Sequence, residues 1–116
     1  MKSGEKMIKY QDFEKVDMRV GKIVKVEDTE GLRNPSYKMT INLGEEIGQK
    51  ISFGQYTKAY SKEDLLNKIV ICVINFEPKK IGPYISEVLT LGFEDENGKI
   101  ILAVPDQNVP LGRRMF

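Results

Sequence analysis

Ser61-Lys62-Glu63-Asp64-Leu65-Leu66-Asn67-Lys68-Ile69-Val70-Ile71-Cys72-Val73-Ile74-Asn75-Phe76 is the stretch on which the fold turns. Ser61 can cap a helix, and Asp64 stands three residues on, so the two side chains form a capping-box-like pair that satisfies free N–H groups of the first turn. Tyr60 before the cap and Leu65 after it suit a hydrophobic staple. Asn67 is a stop, which keeps this helix short. Residues 68–76 then run apolar on both faces, the pattern of a central strand. Pro78 ends that strand, because proline cannot donate to a ladder.

Upstream, Tyr37, Met39, Ile41 and Leu43 alternate with Lys38, Thr40 and Asn42, the period of a half-buried strand. After a turn at 44–48, Ile51 and Phe53 continue the alternation in a third strand. Nearer the N-terminus, Met18, Val20, Val24 and Val26 share one strand face while Ile23 points the other way. Gly21 sits at the break, where a bend or bulge lets one strand serve two sheet faces. A helical turn at 12–16 lays Phe13 and Val16 on one side.

Downstream, 87–93 reads as a fifth strand and 100–104 as its return. Asn97-Gly98 between them is a type I′ hairpin signal, since both residues tolerate positive φ. Pro105 and Pro110 bracket a final loop. Five or six short strands with one helix between the third and fourth predict an all-β OB-fold, a five-stranded Greek-key barrel with a short N-terminal helical turn. A sandwich would need more strands and no such helix. Residues 1–9 read as an N-terminal tail, polar and loose at 1–6, and 10–116 as the OB-fold domain.

Composition narrows the function. A chain of 116 residues fits one domain, and 41% hydrophobic residues supply a core without staples. With 18 basic and 17 acidic residues the net charge is +1, which excludes a strongly basic, nonspecific DNA binder; a nucleic-acid site must be a local patch. The single cysteine, Cys72, rules out an internal disulfide and reads as a buried small hydrophobe in the apolar run 69–74. Histidine is absent, which removes the commonest general base and the commonest metal ligand together. No catalytic residues, metal site or cofactor are therefore expected. Gly44-Glu45-Glu46-Ile47-Gly48 carries two carboxylates that would repel a phosphate, and it reads with Glu94-Asp95-Glu96 as a solvated turn. The longest apolar run is far too short to span a membrane, and no signal peptide is visible. A reducing, cytoplasmic setting is the default expectation.

The most informative segment for binding is 75–86, with adjacent lysines, a proline-glycine frame and an aromatic at Tyr84. Lysines contact phosphates and an aromatic can stack a base. The same composition also fits an ordinary solvated hairpin loop.

Asp17-Met18-Arg19-Val20-Gly21-Lys22-Ile23 resembles the Asp-x-Arg-Val-Gly-x-Ile opening of the tRNA-binding OB domains appended to methionyl- and phenylalanyl-tRNA synthetases. Residues 67–70 and 73–80 resemble that family's Asn-Leu-x-Pro-x-Lys/Arg segment, and Val109-Pro110-Leu111-Gly112 its closing Val-Pro-x-Gly. Within the family the chain is similar to the free-standing, chaperone-like CsaA branch at 12–17, 86–89 and 105–107. The resemblance implies a tRNA partner, a homodimer, and a hydrophobic site for unfolded or pre-export polypeptides. It maps an RNA surface onto Ser52, Gln55, Asn75, Lys79, Lys80 and Ser86, with Tyr84 added as the stacking candidate. Where synthetase-type domains carry Ser-Gln-Gly-Met this chain has Ser86-Glu87-Val88-Leu89, which sets a carboxylate beside the expected site. Asn75 fits equally a loop-capping role. Ser52 and Ser86 fit equally as solvent-facing strand serines, and Arg19 reads as a structural partner of Asp17 or Glu87.

Overall fold

β1 (Met18–Asp28) is long enough to serve two neighbours and does so. In the computed structural model, which describes residues 6–116, its first half pairs antiparallel with β4 (Ile69–Val73) and its second half with β2 (Tyr37–Asn42). The expected N-terminal tail lies partly outside the described residues. The handover is a bulge at Val24: Ile23 faces Ile41, but the next paired residue, Lys25, faces Thr40. The sequence pointed to Gly21 for that bulge. Gly21 instead keeps its register opposite Val70, and its role is close approach. A Cβ there would sit 2.5 Å from Ile41 Cγ2 and 2.8 Å from Leu43 Cδ2, inside the core.

β2 leads through α2 (Gly44–Ile47), a single helical turn, into β3 (Gln49–Gly54), antiparallel to β2. β4 pairs on its far side with β7 (Leu89–Thr90), so the barrel sheet runs β3-β2-β1-β4-β7. The gap between β3 and β7 is bridged by hydrogen bonds from the 86–90 segment. Glu87 N and Val88 N donate to Ile51 O at 2.8 and 3.2 Å. Glu87 Oε1 accepts from Ile51 N at 2.9 Å, and Ser86 Oγ accepts from Phe53 N at 3.2 Å. These bonds satisfy an edge that would otherwise be open. The expected five-stranded OB-type barrel is what forms.

The helix between the third and fourth strands is α3 (Lys62–Leu65). Its capping box is made as expected: Ser61 Oγ accepts from Asp64 N, and Asp64 Oδ2 accepts from Ser61 N, both at 3.1 Å. Asn67 stops it in the left-handed region at φ 72, and Leu65 is fully buried.

Three expectations change. β4 ends at Val73, before Pro78. Ile74 N still donates to Asp17 O as the last ladder bond, but Asp17 N donates to the Asn75 side chain, and the pairing gives out there. The strand expected at 87–93 splits into β7 and β8 (Gly92–Glu94), the latter pairing with β9 (Ile100–Leu102). At Leu91 the chain leaves the barrel, with Leu91 N donating to Ile71 O while Ala103 N donates to Leu91 O. The β8–β9 hairpin is present, but its turn is not type I′, since Gly98 is left-handed at φ 78 and Asn97 is not. Asp95 closes the turn, its Oδ1 accepting from Asn97 N and Lys99 N at 2.9 Å each.

The main core holds Ile23, Met39, Ile41, Leu43, Val70 and Cys72, all fully buried, inside the barrel. A second cluster on the outer surface joins Met18, Ile71 and Val73, with Phe13 and Val16 packed on it from the segment around α1 (Tyr10–Glu14). The C-terminal segment lies beside the start of β1: Val20 N donates to Arg113 O, Gly112 N to Val20 O and Met115 N to Met18 O.

Candidate nucleic-acid interface

Past Val73 the chain swings off the barrel through Asn75, Phe76 and Pro78 into a hairpin of its own. β5 (Lys79–Ile81) pairs with β6 (Tyr84–Ser86) around Gly82-Pro83, with Gly82 left-handed at φ 58. Between this segment and the barrel seam lies an open groove of about 1130 Å³. One wall is the end of β3 with Gln55 and the 86–92 segment; the other runs from Phe76 through Lys79 and Lys80 to Ile81.

The sequence-predicted residues divide. Gln55, Lys79, Lys80 and Ser86 all line the groove, with Gln55 and both lysines exposed. Among the described residues neither lysine takes part in an ion pair, so two free ammonium groups stand at the lip. Ser86 is buried, its hydroxyl accepting from Phe53 N and donating to Val88 O at 3.1 Å. Ser52 is fully buried behind the seam, where Thr90 Oγ1 donates to its hydroxyl at 2.8 Å. Neither serine is solvent-facing, because both complete the barrel closure.

Asn75 lies outside the groove lining. Its Oδ1 accepts from Asp17 N at 2.9 Å and its Nδ2 donates to Lys15 O at 2.7 Å, which is the capping role. Tyr84 is not the exposed aromatic the sequence offered. Its ring packs on Phe53 with centroids 5.0 Å apart, and its phenol oxygen accepts from Glu30 N at 3.2 Å. Glu87 borders the groove as expected, but its carboxylate is engaged by Ile51 N. Arg19 chooses Asp17 over Glu87, Nε to Oδ1 at 2.7 Å. That hydrogen bond, the Arg19 charge and the Arg114 charge hold the Asp17 carboxyl below its ordinary range. Cys72 is sealed under the seam, where burial pushes its thiol up to about 11.

Sequence reasoning missed two groove residues, Phe76 and Leu89, which are 54% and 45% exposed. By sequence pattern Phe76 is the last residue of a central strand. Asn75, a poor strand residue two positions short of Glu77-Pro78, was the signal that the strand had already ended.

Residues 18–114 match the family model described as "Putative tRNA binding domain". The chain belongs to the tRNA-binding domain family. Two solved structures show the likeness end to end. The CsaA chaperone protein from Picrophilus torridus is 44% identical with a TM-score of 0.88, covering 95% of this chain and 100% of that one. Chaperone CsaA from Bacillus anthracis str. Ames is 35% identical with a TM-score of 0.89, covering 95% and 99%. Among curated relatives, the methionine–tRNA ligase of Thermococcus onnurineus (strain NA1) is 39% identical over 108 residues, 93% of this chain. The chain spans 14% of that ligase's length.

In this tRNA-binding domain the family-like motifs are mostly architectural. The Asp17–Arg19 pair ties the start of β1 to the C-terminal segment, because Arg19 Nη1 also donates to Gly112 O at 3.0 Å. Gly112, at φ 90, passes so near the Leu43 carbonyl that a Cβ would lie 2.7 Å from its oxygen. The motifs build the scaffold, and the groove presents two cations, an amide at Gln55, and apolar surface at Phe76 and Leu89.

Proposed function

We propose that this protein binds tRNA in the groove between the barrel seam and the β5–β6 hairpin, and that it has no catalytic activity of its own. The carrying observation is the pair of unpaired lysines, Lys79 and Lys80, at the lip of that groove in a chain of the tRNA-binding domain family. Phosphates give affinity through counterion release. Gln55 offers an amide to a base edge and Phe76 a ring for stacking. The ligase activity of the longer relatives does not carry over, since the match covers 14% of their first representative. Filter binding of bulk tRNA across a salt series tests the proposal. Retention that falls steeply with salt supports it, and no retention at low salt defeats it.

A second reading has its own support. Phe76 and Leu89 expose apolar surface inside the groove, and the two structures that match end to end are CsaA chaperones. We propose that unfolded or pre-export polypeptides occupy the same groove in the cytoplasm, in competition with tRNA. Suppression of client aggregation that added tRNA reverses would support a shared site. Suppression unaffected by saturating tRNA would separate the two.

A further inference from the structure

The hairpin that carries both lysines is not part of the barrel sheet; among the described residues its two strands pair only with each other. Something else must set its angle over the groove. At its root, Ser86 Oγ holds Phe53 N. At its far side stands the 29–36 loop, which joins β1 to β2. The Tyr84 phenol oxygen accepts from Glu30 N, and the Tyr84 ring rests on Phe53. Leu32 covers the hairpin tip so closely that a Cβ on Gly82 would meet Leu32 Cδ2 at 2.8 Å. The loop is itself tied down, with Thr29 Oγ1 donating to Ser36 O at 2.7 Å and Ser36 Oγ to Asn34 O at 3.1 Å.

We infer that the 29–36 loop and Tyr84 form a clasp that fixes the β5–β6 hairpin, so that Tyr84 and Leu32 are positioning residues for the RNA site although neither lines the groove. The inference rests on the tRNA reading above. A hairpin of two three-residue strands has little stability alone. Without the clasp, Lys79 and Lys80 sample many positions, and binding must order them at an entropic cost. The number of phosphates they neutralise does not change. The clasp therefore affects affinity without altering the salt dependence, whereas removing a lysine changes both.

The test uses the full chain with Tyr84→Phe and Leu32→Ala combined. Tyr84→Phe keeps the ring on Phe53 and removes only the phenol oxygen; Leu32→Ala removes the pad on the tip. Filter binding of bulk tRNA across a salt series is read beside backbone NMR order parameters. The expected result is affinity lowered about threefold to tenfold with an unchanged salt slope. Order parameters should fall at 79–86, with those of β1 and β2 and the Tm as in the parent. Parent-like affinity and parent-like order at 79–86 overturn the inference. So does a loss of affinity accompanied by loosening throughout the barrel, which would mark a merely structural role. Lys79→Ala with Lys80→Ala runs in parallel. If that variant binds like the parent, the tRNA reading fails and takes the inference with it. If it weakens binding while the clasp variant does not, the inference alone fails.

Discussion

The Asn75 amide joins two segments at once, accepting from Asp17 N and donating to Lys15 O where β4 runs out. Asn75→Ala removes both bonds and leaves an amide and a carbonyl to find water. The expected loss is about 1–2 kcal/mol, a Tm lower by several degrees. Below the transition, tRNA affinity should stay near the parent's. Thermal unfolding and filter binding on one preparation decide it; weaker binding at an unchanged Tm would make Asn75 an RNA contact. Glu87 separates charge from architecture in the same way. Glu87→Gln keeps an oxygen for Ile51 N and removes a negative charge bordering the groove. Affinity for tRNA should rise about twofold to fivefold at low salt, a gain of about 0.5–1 kcal/mol, with stability near the parent's. Glu87→Ala should instead lower the Tm by opening the seam. These roles were only half legible in the sequence. A serine, asparagine or glutamate of a strand end suits a ligand contact and a seam bond equally, and partners 33 to 60 residues away decide which it makes.

At the scale of elements, legibility follows how local the deciding interaction is. The α3 capping box and the apolar run of β4 are set by neighbours in sequence; the first is legible in kind and place, the second in kind, with its end read three residues late. The split of 87–93 was invisible because it depends on Ile71 O capturing Leu91 N across the barrel. The β5–β6 hairpin, with strands of three residues each, is too short to show a period. Its lysines were legible as charge and its groove was not. Lys79→Ala with Lys80→Ala should flatten the slope of log K against log salt by about 1–2 units and weaken all tRNAs alike. Acid tests another junction, where Asp17 pairs with both Arg19 of β1 and Arg114 of the C-terminal segment. Its carboxyl titrates lower folded than its ordinary value of 3.8, chiefly through the Arg19 hydrogen bond. The ionised form therefore favours folding; its contribution is complete above that ordinary value and is lost as pH falls through the folded one. The Tm gap between the parent and Asp17→Asn should be present near neutrality and shrink in acid below the ordinary value. A gap that persists unchanged there would assign it to packing.

Away from the groove, the two terminal segments also leave apolar surface uncovered. Met7, Ile8 and Tyr10 are 74%, 71% and 66% exposed, and Phe116 is 97% exposed. These residues belong to neighbouring segments, because Arg114 Nη2 donates to Glu14 O at 2.7 Å and so ties the C-terminal segment to the end of α1. α1 has five residues and buries none of them fully, too short a helix to persist in water by its own propensity. It leans on the outer cluster of Met18, Ile71 and Val73 through Phe13 and Val16. A second copy of the same surface, related by a two-fold axis, would cover both segments and brace α1. We propose that the protein is such a dimer. Tyr10→Ser with Phe116→Ser should then halve the mass seen by light scattering at micromolar concentration. The parent's Tm should rise with protein concentration, as mass action requires of a dimer that unfolds to separate chains, and the variant's should not. A parent that scatters as a monomer, with a Tm independent of concentration, would leave this surface to another partner.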